Sequence, residues 1–112
     1  MKCQSENIMK PGCTLTATLH ARPEKRAELV ELLSSFVGRS RSEPGCIDYH
    51  FHVSDDDPNV FYFYENWRAR KDLEVHLELP YQKAWFKRHD EFLTKPAELR
   101  YFTMLSEFEF TP

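Results

Sequence analysis

A strand, a turn and a second strand, hemmed in by Pro44-Gly45 on one side and Pro80 on the other, constrain this chain more than any other feature. Residues 46–53 alternate with period two, with Ile47, Tyr49, Phe51 and Val53 on one face and Asp48, His50 and His52 on the other. Ser54 to Asn59, rich in Asp and holding Pro58, is a turn by composition. Residues 60–67 then form a strand that is apolar on both faces, which demands cover on both. Before this hairpin, Cys13 to Ala21 alternate Leu15, Ala17 and Leu19 against Thr14, Thr16 and Thr18, the mark of a first strand. A helix follows from Pro23, a residue suited to a first helical turn, to about Arg41. Its apolar stripe reads Ala27, Val30, Leu33 and Val37, joined by Leu29 and Phe36. After the hairpin come a short helix over about 69–78, a second helical segment opened by Pro80 and reaching about Phe92, and a long last strand from Leu99 to Phe110. The order β-α-β-β-α-β predicts an α+β, ferredoxin-like fold whose second helix is split at Pro80.

Such a fold covers one sheet face with helices and leaves the other bare. Thr14, Thr16, Thr18, Tyr62 and Tyr64 fall on the bare face, a half-polar, aromatic surface suited to burial against a second copy in an isologous homodimer. With 112 residues the chain makes one domain, expected over residues 13–112, with residues 1–12 as a flexible extension ending in Pro11-Gly12. Aromatic residues make up 14% of the chain, more ring surface than a small core needs, so some are expected to line a pocket or an interface. The net charge of −3 gives no footprint for nucleic acid. No apolar run approaches the roughly 20 residues of a membrane span, and the amino terminus lacks a secretory apolar core. Cys3, Cys13 and Cys46 have no metal-ligand spacing and read as reduced thiols, consistent with a cytoplasmic protein.

His76 is the most pointed candidate for chemistry. It lies three residues after Leu73 and seven after Ala69, on the buried stripe of its helix, and an imidazole there can take a proton near neutral pH. Trp67 and Glu65 share a strand face with Phe61 and Phe63. An indole can stack on a flat substrate and offer its N–H to a ring oxygen. Glu65, an acid on an apolar face, must find a donor or shift its pKa upward, with His76 or an Arg as its expected partner. His50 and His52 stand two apart on one face with no third ligand in sight, so a metal site is not expected. Phosphate-binding glycine loops, a Gly-x-Ser-x-Gly elbow and Cys-x-x-Cys are all absent, so no cofactor fingerprint is present.

Several motifs fall in a characteristic order: Glu43-Pro44-Gly45-Cys46 with Tyr49, the Asp57-Pro58-Asn59 turn, Glu65-Asn66-Trp67, Leu73 with His76-Leu77, Pro80-Tyr81, and Ala84-Trp85. In that order and spacing they resemble the antibiotic biosynthesis monooxygenase family. The resemblance implies a dimeric α+β barrel and a monooxygenase free of metal and flavin, oxidising a phenolic, hydroquinone or polyketide-like aromatic with O2. It implies His76 as base and Trp67 as a cavity residue that orients the substrate, with Phe63, Glu65, Tyr81, Phe36 and Tyr49 as substrate-binding neighbours. Tyr81 stands where many relatives carry a second His, and a phenol donates hydrogen bonds but is a poor base. Two other functions share this fold: a ligand-binding barrel without turnover, and an isomerase of a small hydroxylated carbonyl compound. Haem degradation would need an axial His where this chain has Phe86 and an Asn on the first strand, which instead carries Thr14, Thr16 and Thr18.

Overall fold

The computed structural model describes residues 10–106. Strand β1 (Cys13–His20) leads through a 3-10 turn at Pro23–Lys25 into α1 (Arg26–Arg41). Strands β2 (Cys46–Val53) and β3 (Val60–Trp67) form the hairpin, and α2 (Arg70–Leu77), α3 (Pro80–Arg88), a 3-10 turn at His89–Glu91 and β4 (Glu98–Phe102) complete the fold. The four strands pair antiparallel in the order β2-β3-β1-β4, the ferredoxin-like arrangement. No helix among the described residues is long and apolar enough to cross a membrane. The reading of residues 1–12 as an extension falls mostly outside the described residues.

The split second helix is present as expected. Pro80 opens α3, where its missing N–H costs no hydrogen bond and its fixed φ suits a first turn. The core lies between the helices and one sheet face: Leu15, Ala17 and Leu19 from β1, Phe61, Phe63 and Trp67 from β3, and Leu29 and Leu33 from α1.

Four local features depart from the sequence reading. The buried stripe of α1 is Leu29, Leu33, Phe36 and Ser40, while Ala27 is exposed and Val30 and Val37 are only half-buried. Residues four, three and four apart stay on one line along the helix, and tertiary packing selected this line over the neighbouring one. A β-bulge lies between Cys46 and Asp48, so Cys46 faces Trp67 and Ile47 becomes the extra residue instead of sharing a face with Tyr49. Helices α2 and α3 end a little earlier than expected, the last turn of α3 tightening to 3-10. The last strand stops at Phe102, and Thr103 to Ser106 are not strand. Phe102 pairs with Thr14, next to the first residue of β1, so the ladder ends where its partner strand ends. The remainder of the expected strand, residues 107–110, lies outside the described residues.

On the other sheet face, Thr14, Asn66 and Asp48 stand side by side on three adjacent strands. The Thr14 hydroxyl donates to Asn66 Oδ1 at 2.5 Å, and Asn66 Nδ2 donates to Asp48 Oδ2 at 3.1 Å. Asn66 is 0% exposed, so its amide relies on these partners. Replacing Thr14 by valine keeps the shape and removes the donor. We expect a loss of about 1–3 kcal/mol, read as a lower urea midpoint, with Thr14→Ser close to wild type.

Candidate active site

The connection between α1 and β2 carries the acid of the site. Gly45 lets this connection press against the start of α2: its carbonyl accepts from the Arg68 N–H at 2.9 Å, and a Cβ on it would overlap the Asp72 side chain. Glu43, two residues earlier, is thereby brought to the last turn of α2. His76 projects from that turn on the same stripe as Leu73 and is 1% exposed. Its Nδ1 lies 2.9 Å from Glu43 Oε2 and 3.2 Å from Oε1. A carboxylate only accepts, so Nδ1 carries the hydrogen and Nε2 keeps a lone pair. Nε2 has no hydrogen-bond partner among the described residues.

Tyr81, on the first turn of α3, joins the same carboxylate. Its hydroxyl donates to Glu43 Oε2 at 2.8 Å and therefore accepts from Ser40 at 2.9 Å. Burial, partly offset by Ser40, pushes the Tyr81 phenol up to about 12, so it is a donor and not a base. Burial also lowers the pKa of His76, and the hydrogen bond and charge of Glu43 only partly offset this. The imidazole is therefore neutral at pH 7 and able to accept a proton.

Trp67 packs beneath the imidazole, ring centroids 4.6 Å apart. Its indole N–H donates to Glu65 Oε1 at 3.0 Å. This corrects two expectations: the indole N–H is taken by Glu65 instead of facing a substrate, and Glu65 pairs with Trp67 instead of His76 or an Arg. Burial drives the Glu65 carboxyl up to about 7, against the lowering effect of the indole bond. Tyr49 sits against both His76 and Phe63, at 5.7 and 5.3 Å between centroids. Burial, reinforced by the charge of Glu65, raises its phenol pKa. The Cys46 thiol, pushed up to about 12 chiefly by burial, is inert as a nucleophile at neutral pH.

His76 and Glu65 are two of the few polar groups lining a narrow cleft that is partly open to solvent. Phe36, Phe63, Tyr49 and Trp85 supply aromatic walls. Of the residues expected at the site, His76, Glu65, Phe63, Phe36 and Tyr49 meet around this cleft. Trp67 and Tyr81 stand behind it, Trp67 against His76 and Tyr81 against Phe36. Tyr81 instead lines an outer groove with Arg39, and Phe36 and Trp85 form the wall between the two spaces. His50 and His52 lie on the other sheet face, where His50 meets Asp48 and Arg41 and His52 meets the Tyr62 carbonyl. Among the described residues no group of three or more His, Cys, Asp or Glu could hold a metal ion.

Sequence reading gave no role to Glu43 or Ser40, nor to Gln82, which is buried and lines the cleft. One signal was available: Ser40 falls four residues after Phe36 on an apolar stripe, which calls for a buried hydrogen-bond partner. Glu43 had no such signal, since its partners lie 33 and 38 residues away.

Residues 13–88, which include every group of this network, match the model of the family described as antibiotic biosynthesis monooxygenase. The chain belongs to that family. Among curated relatives, an uncharacterised protein of Synechocystis, sll1783, is 36% identical over 86 residues. That match covers 77% of this chain and 58% of the relative, so the chain spans little more than half of that protein's length. YcnE of Bacillus subtilis, described as a candidate monooxygenase, is 27% identical over 76% of this chain and 90% of its own. Among solved structures, PA3566 of Pseudomonas aeruginosa superposes with a TM-score of 0.80 at 28% identity, covering 89% of this chain and 99% of that one. Family membership and the shared fold agree with the motifs that run from Glu43 to Trp85.

Proposed function

We propose that this protein is a cofactor-independent monooxygenase that oxidises a phenolic, hydroquinone or polyketide-like aromatic with O2. The observation that supports this most is the Glu43–His76 pair: a neutral imidazole, oriented by a carboxylate through Nδ1, lines an aromatic-walled cleft. In this reading Nε2 of His76 takes the proton of a substrate hydroxyl or activated C–H, and Glu43 stabilises the imidazolium that results. The electron-rich anion passes one electron to O2, and the substrate radical and superoxide recombine into a peroxide at a ring carbon. Loss of water then leaves a quinone-type carbonyl, so substrate and O2 give product and one water. The substrate supplies all the electrons. The protein supplies a base, an apolar space for O2 and a fixed orientation.

The same reading includes a homodimer, with a second copy packed on the face that carries Thr18, Tyr62 and Tyr64. The working test is an oxygen electrode with a panel of hydroquinones and anthrones. One O2 consumed per substrate, with a quinone product in the mass spectrum, is the expected result. Ligands that raise the thermal midpoint with no oxygen uptake from any panel member would favour a binding module instead.

A further inference from the structure

Glu65 is not used by the base mechanism, yet it is a built part of the same cleft. The residue is 4% exposed, Oε1 is held by the Trp67 indole, and Oε2 has no hydrogen-bond partner among the described residues. No ammonium or guanidinium pairs with it among the described residues. The groups around it are Glu43 from the α1–β2 connection, Tyr49 and Cys46 from β2, Cys13 from β1 and His76 from α2. The negative charge of Glu43 opposes ionisation of Glu65. An unpartnered carboxyl in an apolar wall is costly unless something else meets it. Trp67 touches both His76 and Glu65, so one indole ring links these two polar groups of the cleft.

We propose that Glu65, as a neutral carboxylic acid, donates a hydrogen bond from Oε2 to the substrate, and that the cleft selects aromatics carrying two oxygens, one for His76 Nε2 and one for Glu65. This rests on the reading of the cleft as a substrate site and narrows its substrate class to hydroquinone-like and hydroxy-carbonyl ring systems. A ring with a single oxygen leaves either His76 or Glu65 unmet. Ionisation removes the donor, so the preference falls as pH rises through about 7.

The test separates this proposal from catalysis by excluding oxygen. Under argon, binding of 1,4-dihydroxynaphthalene and of 1-naphthol is measured by calorimetry and tryptophan fluorescence for the full chain. At pH 6 the diol is expected to bind about 10-fold or more tightly than the naphthol, and the preference should shrink above pH 8. Glu65→Gln retains an acceptor for the indole and an N–H for the ligand, so its preference should become independent of pH. Glu65→Leu should bind both ligands alike. Equal affinities in the wild type, no binding of either ligand, or a preference that survives Glu65→Leu would overturn the proposal. A preserved preference without oxygen uptake in air would instead remove the monooxygenase reading and leave the recognition of two oxygens standing.

Discussion

Replacing His76 by alanine is expected to lower kcat/KM for oxygen uptake by about 10²–10⁴-fold, the usual contribution of a positioned general base. The imidazole is nearly inaccessible and packs between Trp67, Tyr49 and Tyr81, so the variant's fold must be checked by circular dichroism. Glu43→Gln provides an independent arm that leaves the ring in place. The carboxylate raises the His76 pKa through both its hydrogen bond and its charge. Removing that charge is therefore expected to weaken catalysis and to move the acid limb of the pH profile to lower pH. In the wild type that limb should already lie below the ordinary histidine value of 6.5, because burial lowers the His76 pKa overall. A folded His76→Ala protein within threefold of wild type would show that another group removes the proton.

The second large effect concerns stability. Folding takes the Glu65 carboxyl from 4.5 to about 7, so the folded state keeps a proton that the unfolded chain releases. The contribution is fully present below pH 4.5 and is lost as pH rises through about 7. A difference of this size amounts to roughly 3 kcal/mol between the two limits. His76 acts in the opposite direction: its folded pKa is lowered, so its contribution is complete above 6.5 and is lost as pH falls. The two oppose each other between pH 4.5 and 6.5 and flatten the wild-type profile there. Comparing wild type with Glu65→Gln isolates the carboxyl. The variant should gain on the wild type by roughly 3 kcal/mol between pH 4.5 and pH 8 in urea titrations. A constant difference across that range would mean that Glu65 is ionised in the folded protein.

The fold was legible because its signals are local. Period two in residues 13–20, 46–53 and 60–67, helical spacing after Pro23 and Pro80, and a Pro-Gly stop are each contained within a few residues. Where partners decide, the pattern fell short. Leu99 to Phe110 alternates well enough to suggest one long strand, but among its described residues only Leu99 to Phe102 find a partner in β1. The bulge at Ile47 and the choice of Ser40 over Val37 on the buried side of α1 likewise depend on what packs opposite.

The site divides along the same line. His76, Glu65, Trp67 and Tyr81 could be named from the chain, because a polar group on an apolar stripe or face is visible in sequence. Their pairings could not. Tertiary structure alone decided that Glu43 holds His76 and Tyr81, that Trp67 gives its N–H to Glu65, and that Trp67 and Tyr81 stand behind the cleft. A hydrogen bond depends on ångström-scale distance between groups far apart in the chain, and on the burial that shifts their proton affinities. The sequence by itself determined the order of elements and the residue types able to do chemistry; packing decided which of them meet and in which protonation state.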